Sequence, residues 1–308
     1  MNIQDKYNQS GGNIVWTPLE EKRQWSSVAS SADGSKLVAV VFDGYIYTSD
    51  NFGKSWVSRM NDENREWFSV ASSVNGDKLV AGVDGGHIYT SVDYGKSWTP
   101  RDYTREWWSV ASSADGKNLV AVTYHNYIYT SIDCGVSWTE GDTKREWRSV
   151  ASSADGKKLV AVVMDGQIYT SIDSGVSWIP RETNRLWRSV ASSADGKKLV
   201  AVVKDGQIYT STDSGKNWTS SEINSKWKSV AISADGSKLV AVEDIIDVGF
   251  GRIYTANITP PAPKLPVEPP LLSISIMPSL MNKQQFGGYK EKYLKYKQKY
   301  IQLKNDFK

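Results

Sequence analysis

One short phrase, W-x-S-V-A-x-S, is written six times into this 308-residue chain, starting at Trp25, Trp67, Trp107, Trp147, Trp187 and Trp227. The first spacing is 42 residues and the other four are 40. Each copy continues through a turn to K/N-L-V-A and then I-Y-T, and the first five close on G-x-S/N-W. A period of this length means that each copy is one supersecondary unit. Such a unit cannot bury its own apolar face and must stack on its neighbours. The repeats therefore argue for one large domain over residues 12–258 rather than a string of small ones.

The fourth copy shows what the unit is. Trp147–Ser153 reads as a strand, and Ala154-Asp155-Gly156 as a turn. Lys158–Val163 is a second strand, Asp165-Gly166 a hairpin turn, and Gln167–Ser171 a third strand. A tight turn ending at Trp178 leads into a fourth. Four short antiparallel strands in 40 residues make one propeller blade, so the expected fold is all-β, a six-bladed β-propeller of four-stranded blades. The thirteen tryptophans fall entirely inside the repeats and their flanks, and regular placement of so large a side chain marks core.

The sixth copy runs into proline after Asn257 and lacks a fourth strand. Asn13–Pro18 (NIVWTP) precedes Trp25 as Trp98-Thr99-Pro100 precedes Trp107, the first tryptophan nine positions before the second in both cases. The N-terminal segment, with Trp16, is therefore expected to supply the missing strand and close the ring, which removes an exposed sheet edge. Residues 1–11 read as a flexible N-terminus.

The turn S-x-D-x-G-x-S-W resembles the Asp-box of bacterial neuraminidase repeat propellers. It stands intact around Asp93, Gly95 and Trp98, around Asp133, Gly135 and Trp138, and around Asp173, Gly175 and Trp178. Asn217 replaces a serine in the copy with Asp213, Gly215 and Trp218, and Asn51 stands for the aspartate in the first. The box residues read as structural: Asp and Ser bind turn backbone, Gly takes positive φ, and Trp packs between sheets. The longer pattern G-x-I-Y-T-S-x-D-x-G-x-S-W is similar to photosystem II assembly factors, which implies a non-enzymatic docking platform.

Sialidases share the Asp-box and six blades, so the resemblance implies a test for catalysis. Their arginine triad begins in an F-R-I-P-like segment, and this chain has none. Its arginines are periodic, and no pair of carboxylates is singled out for glycoside hydrolysis. No catalytic residue is assigned, and the expectation is a binding protein rather than an enzyme. The alternative is a sialidase-like glycan-binding protein or hydrolase. A metal site from Asp84, His87 and His125 is weighed against plain turn histidines, and the latter is preferred; no metal or cofactor is expected. Cys134, the single cysteine, reads as a replacement for serine in an Asp-box.

Variation among the copies falls on one predicted face. The residue after the opening Trp is Ser26, Phe68, Trp108, Arg148, Arg188 and Lys228. The residue after the second strand includes Phe42, Asp84, Tyr124, Met164 and Lys204. Blades one to three thus offer aromatics and blades four to six positive charge. Arg23, Arg65, Arg105, Arg145 and Arg185 stand two residues before the opening Trp. Either they converge on the axis as a cationic ring for a carboxylate, phosphate or acidic loop, or each pairs with an acid of its own link, such as Glu66, Glu106 or Glu146. Recurrence favours the second. The expected partner of this face is a protein or other acidic macromolecule.

Net charge is +3, too small to imply nucleic acid as partner of the propeller. One cysteine excludes an intrachain disulfide and fits a reducing compartment. The opening MNIQDKYNQSGG has no apolar core and is not expected to act as a secretion signal, and no stretch is apolar enough to span a membrane. An intracellular location is expected.

Residues 259–281 hold seven of the ten prolines and read as a semi-rigid linker. Residues 282–308 carry eight Lys against two acids. There Tyr289, Tyr293, Tyr296 and Tyr300 form one stripe at helical spacing, so a short basic amphipathic helix is expected. Self-association, a partner helix, an anionic surface and plain solvation remain open for it. The tail resembles C-terminal segments of giant DNA virus proteins. That resemblance implies a viral protein made in host cytoplasm or a viral factory, with packaging in the virion left open.

Overall fold

A computed structural model describes residues 22–141, 143–244, 251–258 and 295. Within them six antiparallel sheets follow one another along the chain, a six-bladed β-propeller in architecture. In the second blade, strands Trp67–Ser72, Leu79–Val83, Gly86–Ser91 and Thr99–Arg105 pair in sequence order. The first five sheets have four strands, and the sixth has three, ending at Ile253–Asn257. First strands of successive blades touch one another, which puts them innermost. Second strands such as Leu159–Val163 are buried along their whole length, because each sheet is covered on both faces by its neighbours.

The core is a series of interfaces between blades. Between blades three and four, Val120, Val122 and Ile128 meet Trp147, Val150, Leu159 and Tyr169, and Trp178 packs against this cluster. Trp67, Trp107, Trp147, Trp187 and Trp227 are at most 1% exposed. A β-bulge makes this burial possible. Trp147 pairs with Val163 and Ser149 with Val162, so Arg148 is an extra residue without a ladder partner. The same shift follows every opening Trp. An extra residue lets Trp147 share the buried face of Val150, three positions on, and turns the bulged side chain elsewhere.

Two series of hydrogen bonds from backbone N–H groups recur where one blade meets the next. The Val110 N–H donates to Ser69 Oγ at 3.1 Å, and its equivalents run from Val70 to Val230. Ala32 N–H donates to the Val74 carbonyl, and that chain runs on to Ala194 and Ala234. Among the described residues no such pair joins blade six to blade one. There Trp25 is 37% exposed and Val28 71%, against 0% and 5% for Trp67 and Val70.

The Asp-box turns are built as side-chain brackets. Ser131 Oγ donates to Asp133 and accepts from the Gly135 N–H, while Asp133 accepts from both the N–H and hydroxyl of Ser137. Cys134 and Gly135 both take positive φ, at 61° and 80°. A side chain at Gly135 would collide with Thr90 of the preceding blade and with Leu119. Partial burial pushes Asp133 up, but the bonds from Ser137 and Ser131 outweigh it and hold the carboxyl down at about 2. Bonds from Ser177 and Ser171 likewise lower Asp173. A depressed folded value stabilises above the unfolded value of about 4 and is lost as pH falls through the folded one. Thermal melts should therefore show stability declining from about pH 4 towards pH 2. Asn51 already makes the bracket without a titrating group, through Ser49 and Ser55. Asp133→Asn with Asp173→Asn should thus fold at pH 7, lose under about 1 kcal/mol per site, and flatten that acid limb.

Trp16 and the closing segment 13–18, the linker 259–281 and the stripe Tyr289, Tyr293, Tyr296 and Tyr300 lie outside the described residues. Lys295, in the tail, is helical and exposed. No described helix is long and apolar enough to cross a membrane.

Candidate functional site

The bulged residues and the turns after the second strands meet around the axis. In each blade one backbone bond ties the turn to the residue just before the opening Trp. Tyr124 N–H donates to the Glu106 carbonyl, Met164 to Glu146, Lys204 to Leu186 and Asp244 to Lys226. Each blade therefore presents a link residue, a bulge residue and a turn residue side by side.

The aromatic members form a continuous ladder. Phe42 meets Phe68 edge-on, with centroids 5.6 Å apart. Phe68 meets Trp108 at 4.5 Å, and Trp108 meets Tyr124 at 5.1 Å. Arg148, the next bulge residue, lies over the Trp108 ring at 4.3 Å. Such a desolvated cation–π contact stabilises the guanidinium, yet burial, and then the neighbouring Arg188, push Arg148 down to about 10. No ion pair holds Arg148 among the described residues. Arg188 and Lys228 both reach Asp244, at 3.6 and 3.7 Å. Ser26 and Lys228, at the two ends of the run of bulges, are exposed.

Blades two and three also carry carboxylates. Burial raises Asp84, and Glu106 and Glu66 add like-charge repulsion. Around the axis the charge thus runs from carboxylates on blades two and three to cations on blades four to six. His87 Nδ1 lies 2.8 Å from the Asp102 carbonyl, whereas exposed His125 faces Glu146 at 3.4 Å. The two histidines thus have separate partners. No group of three His, Cys, Asp or Glu placed to hold a metal occurs among the described residues.

The periodic arginines are spread one per blade rather than gathered. Arg23 lies over Tyr47, Arg65 over Tyr89, Arg105 over Tyr129, Arg145 over Tyr169 and Arg185 over Tyr209, at 4.4 to 5.6 Å. Arg65, Arg105 and Arg185 pair with acids as well, but not with those of the adjacent Glu positions. Arg65 binds Asp62 and Glu63, Arg105 binds Asp102 and Arg185 binds Glu182. Each is a wedge that stacks on the third strand of the blade it introduces, a demand of the fold that explains its recurrence.

Two features escaped sequence reasoning. Asp244 stands at the turn position that Tyr124, Met164 and Lys204 hold in earlier blades, but the repeat does not show that it reaches Arg188 and Lys228. The bulge was written in the sequence: W-x-S-V puts two buried residues three apart, which a regular strand cannot place on one face.

Residues 46–58 match the family described as BNR-Asp box repeat, on the copy that carries Asn51. No curated protein matches the chain. An ancestral GH74 enzyme superposes with a TM-score of 0.64 at 18% identity, over 80% of this chain and 38% of the other. The chain thus spans well under half the length of that enzyme. The Cps50 (Swd1) β-propeller domain of Myceliophteria thermophila superposes with a TM-score of 0.60 at 14% identity, over 76% of this chain and 84% of the other. At such identities the likeness is one of fold. That fold is carried by an enzyme in one case and described only as a propeller domain in the other.

Proposed function

We propose that this is a non-catalytic propeller that docks an acidic protein segment on the face bearing Phe68, Trp108, Arg148, Arg188 and Lys228. The supporting observation is Arg148, a half-buried cation against a second cation, lying on an aromatic ladder with no carboxylate of its own. A partner's Glu or Asp would supply the missing charge, with the guanidinium offering a paired set of donors. Phe68 and Tyr124 would flank the contact with apolar surface, as aromatic residues do at the centre of interfaces.

The test is calorimetric titration of the propeller with Glu-rich peptides carrying one aromatic residue, beside Gln-substituted controls. Acidic peptides should bind, more weakly at 200 mM than at 50 mM salt, and the controls should not. Tighter binding to a glycan panel, or turnover of a fluorogenic sialoside, would sink this reading in favour of a glycan-directed protein.

The basic tail, residues 282–308, would tether or oligomerise this platform, and its viral resemblance extends the proposal to a giant-virus protein in host cytoplasm. Deleting 282–308 should leave a soluble monomeric propeller by size-exclusion chromatography, with an unchanged melting temperature. Unfolding on deletion would make the tail part of the core.

A further inference from the structure

A groove of about 220 Å³ lies between blades five and six, lined by Thr210, Leu239, Ala241, Tyr254 and Thr255 among others. Two of these residues identify it. At the other interfaces the Asp-box sits against one threonine of the preceding blade and one leucine of its own. For Gly135 and Trp138 these are Thr90 and Leu119, and for Gly215 and Trp218 they are Thr170 and Leu199. Thr210 and Leu239 are the next members of both series. The interface clusters agree: Trp98, Trp138, Trp178 and Trp218 each pack against one of the first four, and no Asp-box Trp packs against the fifth. The groove thus lies where an Asp-box tryptophan sits at the other four interfaces, and the sixth blade has no tryptophan after Trp227.

Blade six also gives up the means of making that turn. In the other blades the serine ending the third strand caps it, as Ser171 does by accepting from the Gly175 N–H. Its counterpart is Ala256, paired with Leu239 as Ser171 is with Leu159. That bracket lacks its capping hydroxyl here, and among the described residues no strand pairs with the outer edge of Ile253–Asn257.

We propose that this strand is the chain's own N-terminal segment, Asn13–Leu19, with the Trp16 indole in the groove. In blade two Thr99 pairs with Thr90 and Pro100 with Tyr89. The same register sets Thr17 opposite Thr255 and Pro18 opposite Tyr254. Six residues then remain between Pro18 and Trp25, as between Pro100 and Trp107, so the docked segment draws blade one against blade six. The residues to be joined are already apolar and uncovered. Val80 and Ile88 pack on Trp107 and Val110 at a formed interface. Their equivalents Val240, Ile253, Trp25 and Val28 are 36%, 73%, 37% and 71% exposed.

The register predicts a disulfide. Directly opposed antiparallel residues have Cα atoms at bridging distance. In a full-length Cys134→Ser background, Thr17→Cys with Thr255→Cys should oxidise to an intramolecular bridge, seen as a monomer without free thiols on a non-reducing gel. Serine already holds the Cys134 position at Ser174 and Ser214. A bridge found only in dimers would place a second copy's segment in the groove and overturn the proposal. Thiols that stay free in folded protein would overturn it too. Separately, Trp16→Ala should lower the melting temperature by on the order of 10 °C, with Trp16→Phe recovering part of the loss. An unchanged melting temperature for Trp16→Ala would leave the groove with another occupant.

Discussion

Replacing Trp147 by alanine should cost about 3–5 kcal/mol of folding stability, the range for removing a large aromatic from a packed core. Trp147 is 1% exposed and joins two blades. Its ring meets Tyr169 edge-on at 5.3 Å and Trp178 at 6.1 Å, with Arg145 stacked on Tyr169 beside it. Its indole N–H has no hydrogen-bond partner among the described residues, so the loss is chiefly one of packing. For a domain of this size, a drop of roughly 10 °C in melting temperature follows. The damage should be local at first, because contacts in a repeat protein run between neighbours. Hydrogen exchange would show blades three and four losing protection before the others. Ile172→Ala, on the exposed Asp-box turn, is the control and should change stability by under about 0.5 kcal/mol. Equal effects of the two substitutions would mean that the interface is not the source of stability.

The second large effect separates stability from binding. Arg148→Met keeps much of the side chain's bulk over Trp108 and removes a charge that burial and Arg188 both disfavour. Melting temperature should therefore stay level or rise by a few degrees, since replacing a poorly compensated charge by an apolar group is neutral or stabilising. Affinity for the acidic peptides should fall at least 30-fold, about 2 kcal/mol, the loss that marks a central interface residue. Arg148→Glu should abolish binding altogether by placing like charges together. If Arg148→Met melts well below the wild type and binds normally, the guanidinium belongs to the fold and the docking face lies elsewhere.

How far the sequence could be read depended on which physical demand each residue answers. The opening Trp, the L-V-A run and the Asp-box answer demands that every blade repeats, so their period exposed the architecture and the core. The broken sixth copy was legible for the same reason. The periodic arginines were harder, because the period alone does not say which side of a strand they use. Their seat over Tyr89, Tyr129 and Tyr169 is a contact across non-adjacent sequence. The aromatic-to-cationic sequence Phe68, Trp108, Arg148, Arg188 could be listed from the repeat, but its members' mutual contact depends on how neighbouring blades are stacked. Asp244 aligns with Lys204, yet its reach to Arg188 and Lys228 depends on how the face is folded and not on the repeat.

The bulge after each opening tryptophan has one more consequence. Its residue makes no ladder pair and lies outside the core clusters, so its chemistry answers to its neighbours on the face rather than to the sheet. Serine, phenylalanine, tryptophan, arginine and lysine already occupy it in this one molecule. The ring therefore works as a rack of six interchangeable slots around an axis. A library randomised at positions 26, 68, 108, 148, 188 and 228 would change what the face recognises while leaving the scaffold's folding code untouched.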